Sequence, residues 1–463
     1  MSGRVGRREF LATSAAAALA ASRETFAAER KPARPNVLFI LADDLGWGDL
    51  SCYGRPDYRT PNLDRLAAEG MRLTHAYSAS PVCTPTRVAF ATGRYPARTA
   101  VGLEEPLQWR KDLREQKRDP GLPPEHPTVA SLLKSAGYRT ALVGKWHMGY
   151  LPRYGPLKSG YEEFFGIMSG ANDFFTHADA YGEGDLFEME VPVERAGYMT
   201  DLLTERAVQF ITRRHDRPFY LSLHYTAPHW PWEGPRDEAV SRTLGQGYAG
   251  MTAGGSLKIY AEMMRSLDEG ISRVVRALSA ARLERNTLVV FTSDNGGERF
   301  SFNWPFRGEK FQLLEGGIRV PAIARWPGTI PAGRTSDQVN ITMDWTATMA
   351  ALAGAQPHPA YPLDGVDLLP TLRGNRPAFE RTLFWRHHKS AAVRRGRWKY
   401  LQDEEGEHLF DLATDEREQA DFRQSHAAIF EQLKSAHADW DKQLLPRRTR
   451  PAATDDGQLT TDN

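Results

Sequence analysis

The chain reads NVLFILADD from Asn36 to Asp44, an apolar run that ends in two carboxylates. A short uncharged run rich in aliphatic and β-branched side chains is typical of a buried strand. The two aspartates would then lie at the carboxyl end of that strand. Because ligand crevices in open α/β sheets lie at those ends, this stretch indicates both a fold class and the position of a site.

Three further apolar runs predict three more buried strands: Thr140–Gly144, Phe219–Leu223 and Thr287–Thr292. Helical patterns separate these runs, and the clearest one places apolar residues from Ile259 to Leu278 at steps of three or four. This alternation predicts an α/β domain in which helices cover both faces of a large, mostly parallel mixed sheet.

The sequence pattern changes after Gly374. Short alternating runs followed by a helical segment predict a smaller α+β domain of antiparallel strands with one packed helix: 382–386, 391–393, 398–401, 408–412 and then 427–443. We therefore expect a large domain over residues 33–374, a C-terminal subdomain over 375–445 and a disordered tail over 446–463, where apolar residues are few.

The charge and cysteine content exclude several classes of protein. Lys and Arg number 59 and Asp and Glu number 58, so a net charge of +1 argues against a nucleic-acid partner. The two cysteines, Cys52 and Cys83, allow one disulfide at most. Each apolar stretch is too short for a transmembrane helix, so we expect no stable membrane insertion.

The first 28 residues resemble a twin-arginine export signal. Arg7 and Arg8 precede an uncharged segment, Phe10–Ser22, that is rich in alanine. The alternative is an ordinary secretory signal. Either signal predicts export, and the first predicts passage through the twin-arginine machinery to the bacterial periplasm or beyond.

Polar residues follow all four predicted strands of the large sheet. Because the carboxyl ends of parallel strands meet at one edge, these residues are expected to form a single site: Asp43, Asp44, Lys145, His147, His224, His229, Asp294 and Asn295. The three aspartates and the asparagine offer hard oxygen ligands, which suit Ca²⁺ or Mg²⁺ better than zinc. Taken alone, each acidic pair is equally consistent with a turn or a helix cap.

The run CTPTR, from Cys83 to Arg87, predicts a helix start. Pro85 at the first helical position would leave Cys83 beside the helix N-terminus, where backbone N–H groups favour an anion. The simpler interpretation is a buried free cysteine.

Five motifs in this order resemble the formylglycine-dependent sulfatases of the arylsulfatase A-like type, which belong to the alkaline phosphatase-like superfamily. They are CTPTR at 83–87, GYRTALVGKWH at 137–147, APH at 227–229, SDNG at 293–296 and RGEK at 307–310. The resemblance extends from about Pro35 to Phe422 and implies the fold of that superfamily.

The resemblance implies a post-translational cofactor and a metal. Cys83 would be oxidised to formylglycine by a formylglycine-generating enzyme; one hydroxyl of its hydrated aldehyde attacks sulfur and the other expels sulfate. One divalent cation, calcium ahead of magnesium, would be held by the residue at position 83 and by four oxygen ligands: Asp43, Asp44, Asp294 and Asn295.

The resemblance also implies roles for the remaining side chains. Arg87 and Lys145 would steady the nucleophile and the developing charge. His147 would take the proton from the second hydroxyl, while His229 and Lys310 would bind sulfate and protonate the leaving oxygen. His224 receives no role.

The expected activity is hydrolysis of an aryl or carbohydrate sulfate monoester to an alcohol and inorganic sulfate. Two alternatives remain: a phosphonate monoester hydrolase or phosphodiesterase of the same superfamily, and a non-catalytic binder of sulfated glycans. Candidate substrate-facing segments are Glu104–Arg118, Asn172–Asp185 with His177, and the pair His387-His388.

Overall fold

The structure of the protein is a computed structural model, which describes residues 34–108 and 111–447. The expected export signal and almost all of the expected tail lie outside the described residues. Among the described residues, no helix is both long enough and apolar enough to cross a membrane.

A mixed sheet of eleven strands forms the centre of the part of the chain that the structure describes. Its spatial order is β10-β2-β9-β8-β1-β7-β3-β4-β5-β6, and β11 also pairs with β2. The strands are β1 (Asn36–Ala42), β2 (Met71–Tyr77), β3 (Arg139–Gly144), β4 (Glu163–Ile167), β5 (Leu186–Glu188), β6 (Val191–Pro192), β7 (Phe219–His224), β8 (Thr287–Ser293), β9 (Arg319–Arg325), β10 (Arg334–Ser336) and β11 (Asn340–Ile341).

The four strands predicted from the apolar runs are neighbours in the order β8-β1-β7-β3 and are parallel to one another. Leu41 pairs with Thr292 on one side and with His224 on the other, so the strands also end at the same level. The predicted fold class is confirmed, and all four strands begin and end within one residue of the predicted bounds.

Helices cover both faces of this sheet. The helices that precede the second sheet are α1 (Pro61–Ala68), α2 (Cys83–Thr92), α3 (Lys111–Glu115), α4 (Val129–Ser135), α5 (Met199–Thr212), α6 (Glu238–Ser241), α7 (Gly247–Met251), α8 (Leu257–Ala280), α9 (Glu315–Ile318), α10 (Thr342–Ala353) and α11 (Leu369–Leu372). Alternate residues of β1 face opposite sides: Phe39 packs in the core formed with α2, α4 and α10, and Ile40 packs in the core formed with α1, α5 and α8. Because both faces are covered, every residue of β1 is buried.

A second sheet follows, with the antiparallel strands β12 (Thr382–His387), β13 (Ser390–Arg395), β14 (Trp398–Asp403) and β15 (Gly406–Asp411). Helix α12 (Ala427–Asp441) covers it through Phe430 and Leu433, which pack against Val393 and Tyr400. The antiparallel sheet and its helix agree with the prediction.

A buried lysine joins the two sheets. Lys399 of β14 lies 3.0 Å from Glu315 of α9 and 2.7 Å from Glu418, and all three side chains are inaccessible to solvent. Burial raises the pKa of Glu418 to about 7 although Lys399 acts against it. Because an unpaired charge in such a place is costly, this triad ties the small sheet to the large one.

Candidate active site

The four strand ends bring the predicted residues to one place. Backbone hydrogen bonds continue past the strands: Lys145 N donates to His224 O at 2.9 Å, and Asp294 N donates to Ala42 O at 3.2 Å. None of the ten predicted site residues is more than 6% exposed: Asp43, Asp44, Cys83, Arg87, Lys145, His147, His229, Asp294, Asn295 and Lys310. Water is therefore largely excluded from the site.

Helix α2 begins two residues earlier than predicted. Cys83 is its first residue, Val82 is the N-cap in an extended conformation, and Pro85 is the third helical residue rather than the first. Proline is tolerated there because the first N–H groups of a helix have no partner within the helix. Cys83 thus lies at the N-terminus of a helix whose ten residues are all buried. Burial raises the pKa of its thiol, against the influence of Lys145 and Lys310.

The acidic side chains converge on one another. Asp44 N donates to Asp294 Oδ1 at 3.1 Å, and Asn295 Nδ2 donates to Asp44 Oδ1 at 2.8 Å. Two oxygens in this group, Asp43 Oδ1 and Asn295 Oδ1, are buried and accept no hydrogen bond. Buried oxygens without a donor are the atoms that a cation would satisfy.

Each carboxylate in the site also has a cationic neighbour. The distances are 2.6 Å from Lys145 Nζ to Asp43 Oδ2, 2.8 Å from Arg87 Nη2 to Asp294 Oδ2, and 2.6 Å from Lys310 Nζ to Asp44 Oδ2. Burial raises the pKa of Asp294 to about 7, with a further contribution from Asp43, and Arg87 does not offset these effects. The region around Asp294 therefore favours additional positive charge.

His147 presents one free ring nitrogen. Its Nε2 lies 2.8 Å from the carbonyl oxygen of Leu107, which can only accept, so Nε2 carries the hydrogen and Nδ1 carries the lone pair. Nδ1 is buried and has no hydrogen-bond partner. Burial, together with Lys145, holds the pKa of His147 well below its usual value. His147 is therefore a neutral base at neutral pH.

His229 and Lys310 contact each other through their side-chain nitrogens. His229 Nδ1 lies 2.6 Å from Trp230 O and therefore donates to it, which leaves the lone pair of Nε2 facing Lys310 Nζ at 3.3 Å. Burial holds the pKa of His229 well below its usual value, although Asp44 acts against this. The pKa of Lys310 lies well above its usual value because Asp44 and Glu298 outweigh burial. The proton thus resides on Lys310.

His224 contacts two residues of the site, Arg87 and Lys145, without being one of the proposed reacting groups. Its Nε2 lies 2.7 Å from Ser222 Oγ, its Nδ1 lies 3.2 Å from Lys145 O, and Arg87 Nη1 lies 3.5 Å from the same Nδ1. The histidine thus packs against Arg87 and contacts the backbone of Lys145. Its position at a strand end is a signal that places it near the site but indicates no role.

Two further residues near the site were not predicted. Glu298 Oε2 lies 3.8 Å from Lys310 Nζ, and its position three residues after Asn295 is a weak signal that could have drawn attention to it. Gly170 lies against the ring of His147, where a side chain on this glycine would put its Cβ 2.5 Å from Cε1. Nothing in the sequence around Gly170 indicates this contact.

Two of the three candidate substrate-facing segments meet in the structure. Glu105 of the first segment contacts His387 and His388. His177 of the second is buried, with Nε2 3.1 Å from Gly197 O.

A family model for sulfatases matches residues 35–355. The chain belongs to the sulfatase family. This sulfatase is 36% identical over 388 residues to the N-acetylgalactosamine-6-sulfatase of Canis lupus familiaris, covering 80% of this chain and 72% of that protein. It is 33% identical to the steryl-sulfatase of Mus musculus, over 79% of this chain and 69% of that protein.

Among solved structures, this sulfatase resembles Ps i-CgsB in complex with k-i-k-neocarrahexaose. The TM-score is 0.77 and the identity is 30%, over 88% of this chain and 92% of that one. The family match, the relatives and the fold agree, and the protein is a sulfatase that hydrolyses sulfate esters.

Proposed function

We propose that this sulfatase acts on a carbohydrate sulfate monoester through a formylglycine formed from Cys83 and one bound calcium ion. The observation that carries the proposal is the position of Cys83. It lies buried at the N-terminus of α2, and its thiol is influenced by Asp43, Asp294, Lys145 and Lys310, which come from elements far apart in the sequence. A structural cysteine has no need of such surroundings.

The residues present fit a hard divalent cation. Asp43, Asp44, Asp294 and Asn295 would hold it, together with the residue at position 83. The oxygens of Asp43 and Asn295 that accept no hydrogen bond, together with the raised pKa of Asp294, support the binding of an additional positive charge. The four residues offer oxygen ligands, and calcium accepts the irregular geometry of such a set more readily than magnesium.

Formylglycine and the cation would supply an acidified hydroxyl as the nucleophile toward sulfur and a second hydroxyl that loses its proton when sulfate leaves. Arg87 and Lys145 then provide fixed positive charge where negative charge develops. Because both are fully buried and already held by Asp294 and Asp43, they need little reorganisation during the reaction.

His147 is proposed to take the proton of the second hydroxyl at Nδ1. The bond from Nε2 to Leu107 O fixes the tautomer, and the ring occupies space that a side chain at position 170 would fill. A neutral imidazole with its lone pair free is the form required for this step.

Lys310 is proposed to bind the sulfate oxygens and to provide the proton for the leaving oxygen. His229 would bind sulfate beside it as part of the same pair, because its Nε2 accepts a hydrogen bond from Lys310 over 3.3 Å and holds the ammonium group in place. Asp44 and Glu298 keep Lys310 protonated until the leaving oxygen develops charge.

The proposal of a carbohydrate sulfate has two supports. One relative is named for N-acetylgalactosamine 6-sulfate, and the similar Ps i-CgsB was solved with an oligosaccharide. In addition, Phe311 follows Lys310 directly and is 36% exposed, so an aromatic face lies beside the proposed sulfate site. Aromatic faces of this kind stack on sugar rings.

The proposed partners are a formylglycine-generating enzyme and the twin-arginine machinery, with the periplasm or exterior of a bacterial cell as the destination. Arg7 and Arg8, with the alanine-rich segment after them, support export.

The test combines mass spectrometry with turnover. The peptide that contains residue 83, from protein produced with an active modifying enzyme, is expected to have the mass of the aldehyde instead of the thiol. The same preparation is expected to release sulfate from p-nitrophenyl sulfate and, more efficiently, from N-acetylgalactosamine 6-sulfate. An unmodified thiol with full turnover would refute formylglycine as the nucleophile. A phenyl phosphonate ester is assayed in parallel, and faster hydrolysis of that ester than of the sulfates would refute the proposed substrate class.

A further inference from the structure

A second group of potential metal ligands lies outside the proposed active site. Glu105, His387 and His388 each offer one ligand atom, and these atoms all lie within 4.8 Å of one another. Glu105 comes from the segment after α2, whereas the histidines come from the end of β12 and the turn that follows it.

The backbone at His388 brings the two imidazoles together. Successive residues of a strand point to opposite faces, which would separate His387 from His388. His388 instead has φ +47°, a left-handed conformation that few residues other than glycine adopt. As a result the two rings lie side by side, with their centroids 4.2 Å apart, and both reach Glu105.

Two of the ligand separations, one to each oxygen of the Glu105 carboxylate, are compatible with a zinc site. His387 Nδ1 lies 3.5 Å from Glu105 Oε1, and His388 Nδ1 lies 3.1 Å from Glu105 Oε2. Ligands bound to zinc at 2.0–2.2 Å in a tetrahedron are about 3.4 Å apart. The ion would therefore fit between these atoms with small shifts.

One of the ligand atoms lacks any other partner. His387 is 3% exposed, and its Nδ1 is buried without a hydrogen bond. The Glu105 carboxylate already accepts the backbone N–H of His388 at Oε2, 3.0 Å away. The buried nitrogen of His387 has no such bond, which is costly unless another group satisfies it.

We propose that Glu105, His387 and His388 form a zinc site, distinct from the oxygen-rich cation site at Cys83. Two imidazoles and one carboxylate suit zinc rather than calcium. The fourth ligand would be water, because the side chain of His388 is 48% exposed and leaves that side open.

The proposed zinc ligands lie close to residues that contact the proposed active site. Glu105 is two residues from Leu107, whose carbonyl fixes His147, and the ring of His387 lies 6.2 Å from that of Phe311, the residue after Lys310. Zinc would link the C-terminal sheet to the segment whose Leu107 carbonyl orients His147.

The test is a titration of Zn²⁺ into the calcium-saturated, substrate-free protein, followed by calorimetry. One equivalent is expected to bind to the wild type. Glu105→Gln and His388→Asn are expected to weaken binding at least about tenfold, since loss of even an outer partner of a metal ligand has that effect. Asparagine tolerates the left-handed conformation at 388, so this variant keeps the turn. His358→Asn, at an exposed histidine elsewhere, is the matched control and is expected to bind normally.

Thermal unfolding and anomalous scattering complete the test. Zinc is expected to raise Tm in the wild type and in His358→Asn but not in the two ligand variants, and a zinc peak is expected between the three side chains. Absence of binding, or binding of equal strength in Glu105→Gln and His388→Asn, would refute the proposal. Slower sulfate release by these variants with no zinc bound to the wild type would also refute it and would indicate a sugar subsite.

Discussion

Lys145 and Asp43 form an ion pair of 2.6 Å in which neither side chain is more than 1% exposed. Removing one member of such a pair leaves an uncompensated buried charge, which costs about 3–5 kcal/mol. The pair therefore contributes to the stability of the fold and to the charge of the proposed active site.

Lys145→Met is expected to lower the free energy of unfolding by about 3–5 kcal/mol in calcium-free protein. It is also expected to lower kcat for p-nitrophenyl sulfate by about 10²–10³-fold, the usual effect of removing one preorganised charge-stabilising group. Urea denaturation and steady-state kinetics measure the two effects.

Lys158→Met provides the matched control. Lys158 pairs with Glu190 at 3.1 Å, but both side chains are about one-third exposed, so the loss is expected to stay below about 1 kcal/mol with unchanged kcat. Equal effects of the two substitutions would mean that the burial of the Lys145 pair has no consequence.

Removal of the metal is expected to abolish turnover reversibly. After dialysis against a calcium chelator, sulfate release should fall and Tm should drop, because a ligand that binds only the folded state stabilises it. Calcium should restore activity more fully than magnesium, and Asn295→Ala should need more calcium for half-maximal rate. Full turnover in protein shown by elemental analysis to be metal-free would exclude the proposed cation.

Gly170→Ala tests the position of His147 without removing a reacting group. The added methyl would lie 2.5 Å from Cε1 of His147, so the ring must move from the position set by Leu107 O. We expect kcat to fall at least about tenfold, since a displacement of about 1 Å can cost 10²-fold. Gly184→Ala is the control, because its added Cβ would meet nothing within 4 Å. Unchanged kcat in Gly170→Ala would show that the orientation of His147 does not limit the reaction.

Cys83→Ala is expected to abolish turnover and to leave the far-UV circular dichroism spectrum and Tm close to those of the wild type. The substitution removes one buried sulfur atom and no ion pair. Cys52→Ala, at the half-buried second cysteine, should keep full activity. Turnover by Cys83→Ala would require another nucleophile.

Asp185→Asn should change how stability depends on pH. Burial raises the pKa of Asp185 from 3.8 to about 7, although the N–H groups of Met168 and Ser169 donate to its oxygens. Folding thus favours the protonated carboxyl. Its contribution is complete below pH 3.8 and is lost as the pH rises through 7, a change of at most about 4 kcal/mol.

The asparagine variant lacks this dependence. Relative to the wild type, its free energy of unfolding should therefore increase between about pH 4 and pH 8, as followed by urea denaturation at each pH. Asp216→Asn, at a side chain 79% exposed, should not alter the slope. A slope in Asp185→Asn identical to that of the wild type would contradict the raised pKa.

The large sheet was predictable because its central strands carry their own signal. Strand β1 is buried on both faces, so nearly every position is apolar, and its end is marked by Asp43 and Asp44. Parallel strands that begin at one level also end at one edge, which is why the residues after four strands could be grouped from the amino-acid pattern alone.

Contacts made by loops could not be predicted in the same way. The bond of His147 to Leu107 O, the contact of Gly170 with the same ring and the approach of Glu298 to Lys310 depend on how long segments close over the sheet. No periodicity encodes such closures. The start of α2 was misplaced for a related reason: the extended backbone of Val82 sets it, and proline is compatible with more than one position in the first turn.

The complete burial of α2 bears on the order of events during biosynthesis. Cys83 is 2% exposed, and the nine residues that follow it in the helix are also covered. An enzyme that modifies Cys83 cannot bind this segment once the sheet and its helices have assembled around it. Any chemical conversion of Cys83 must therefore take place on the nascent or unfolded chain, in the interval between synthesis of this segment and the closure of the core. The speed of folding thus sets a limit on how many molecules can become active.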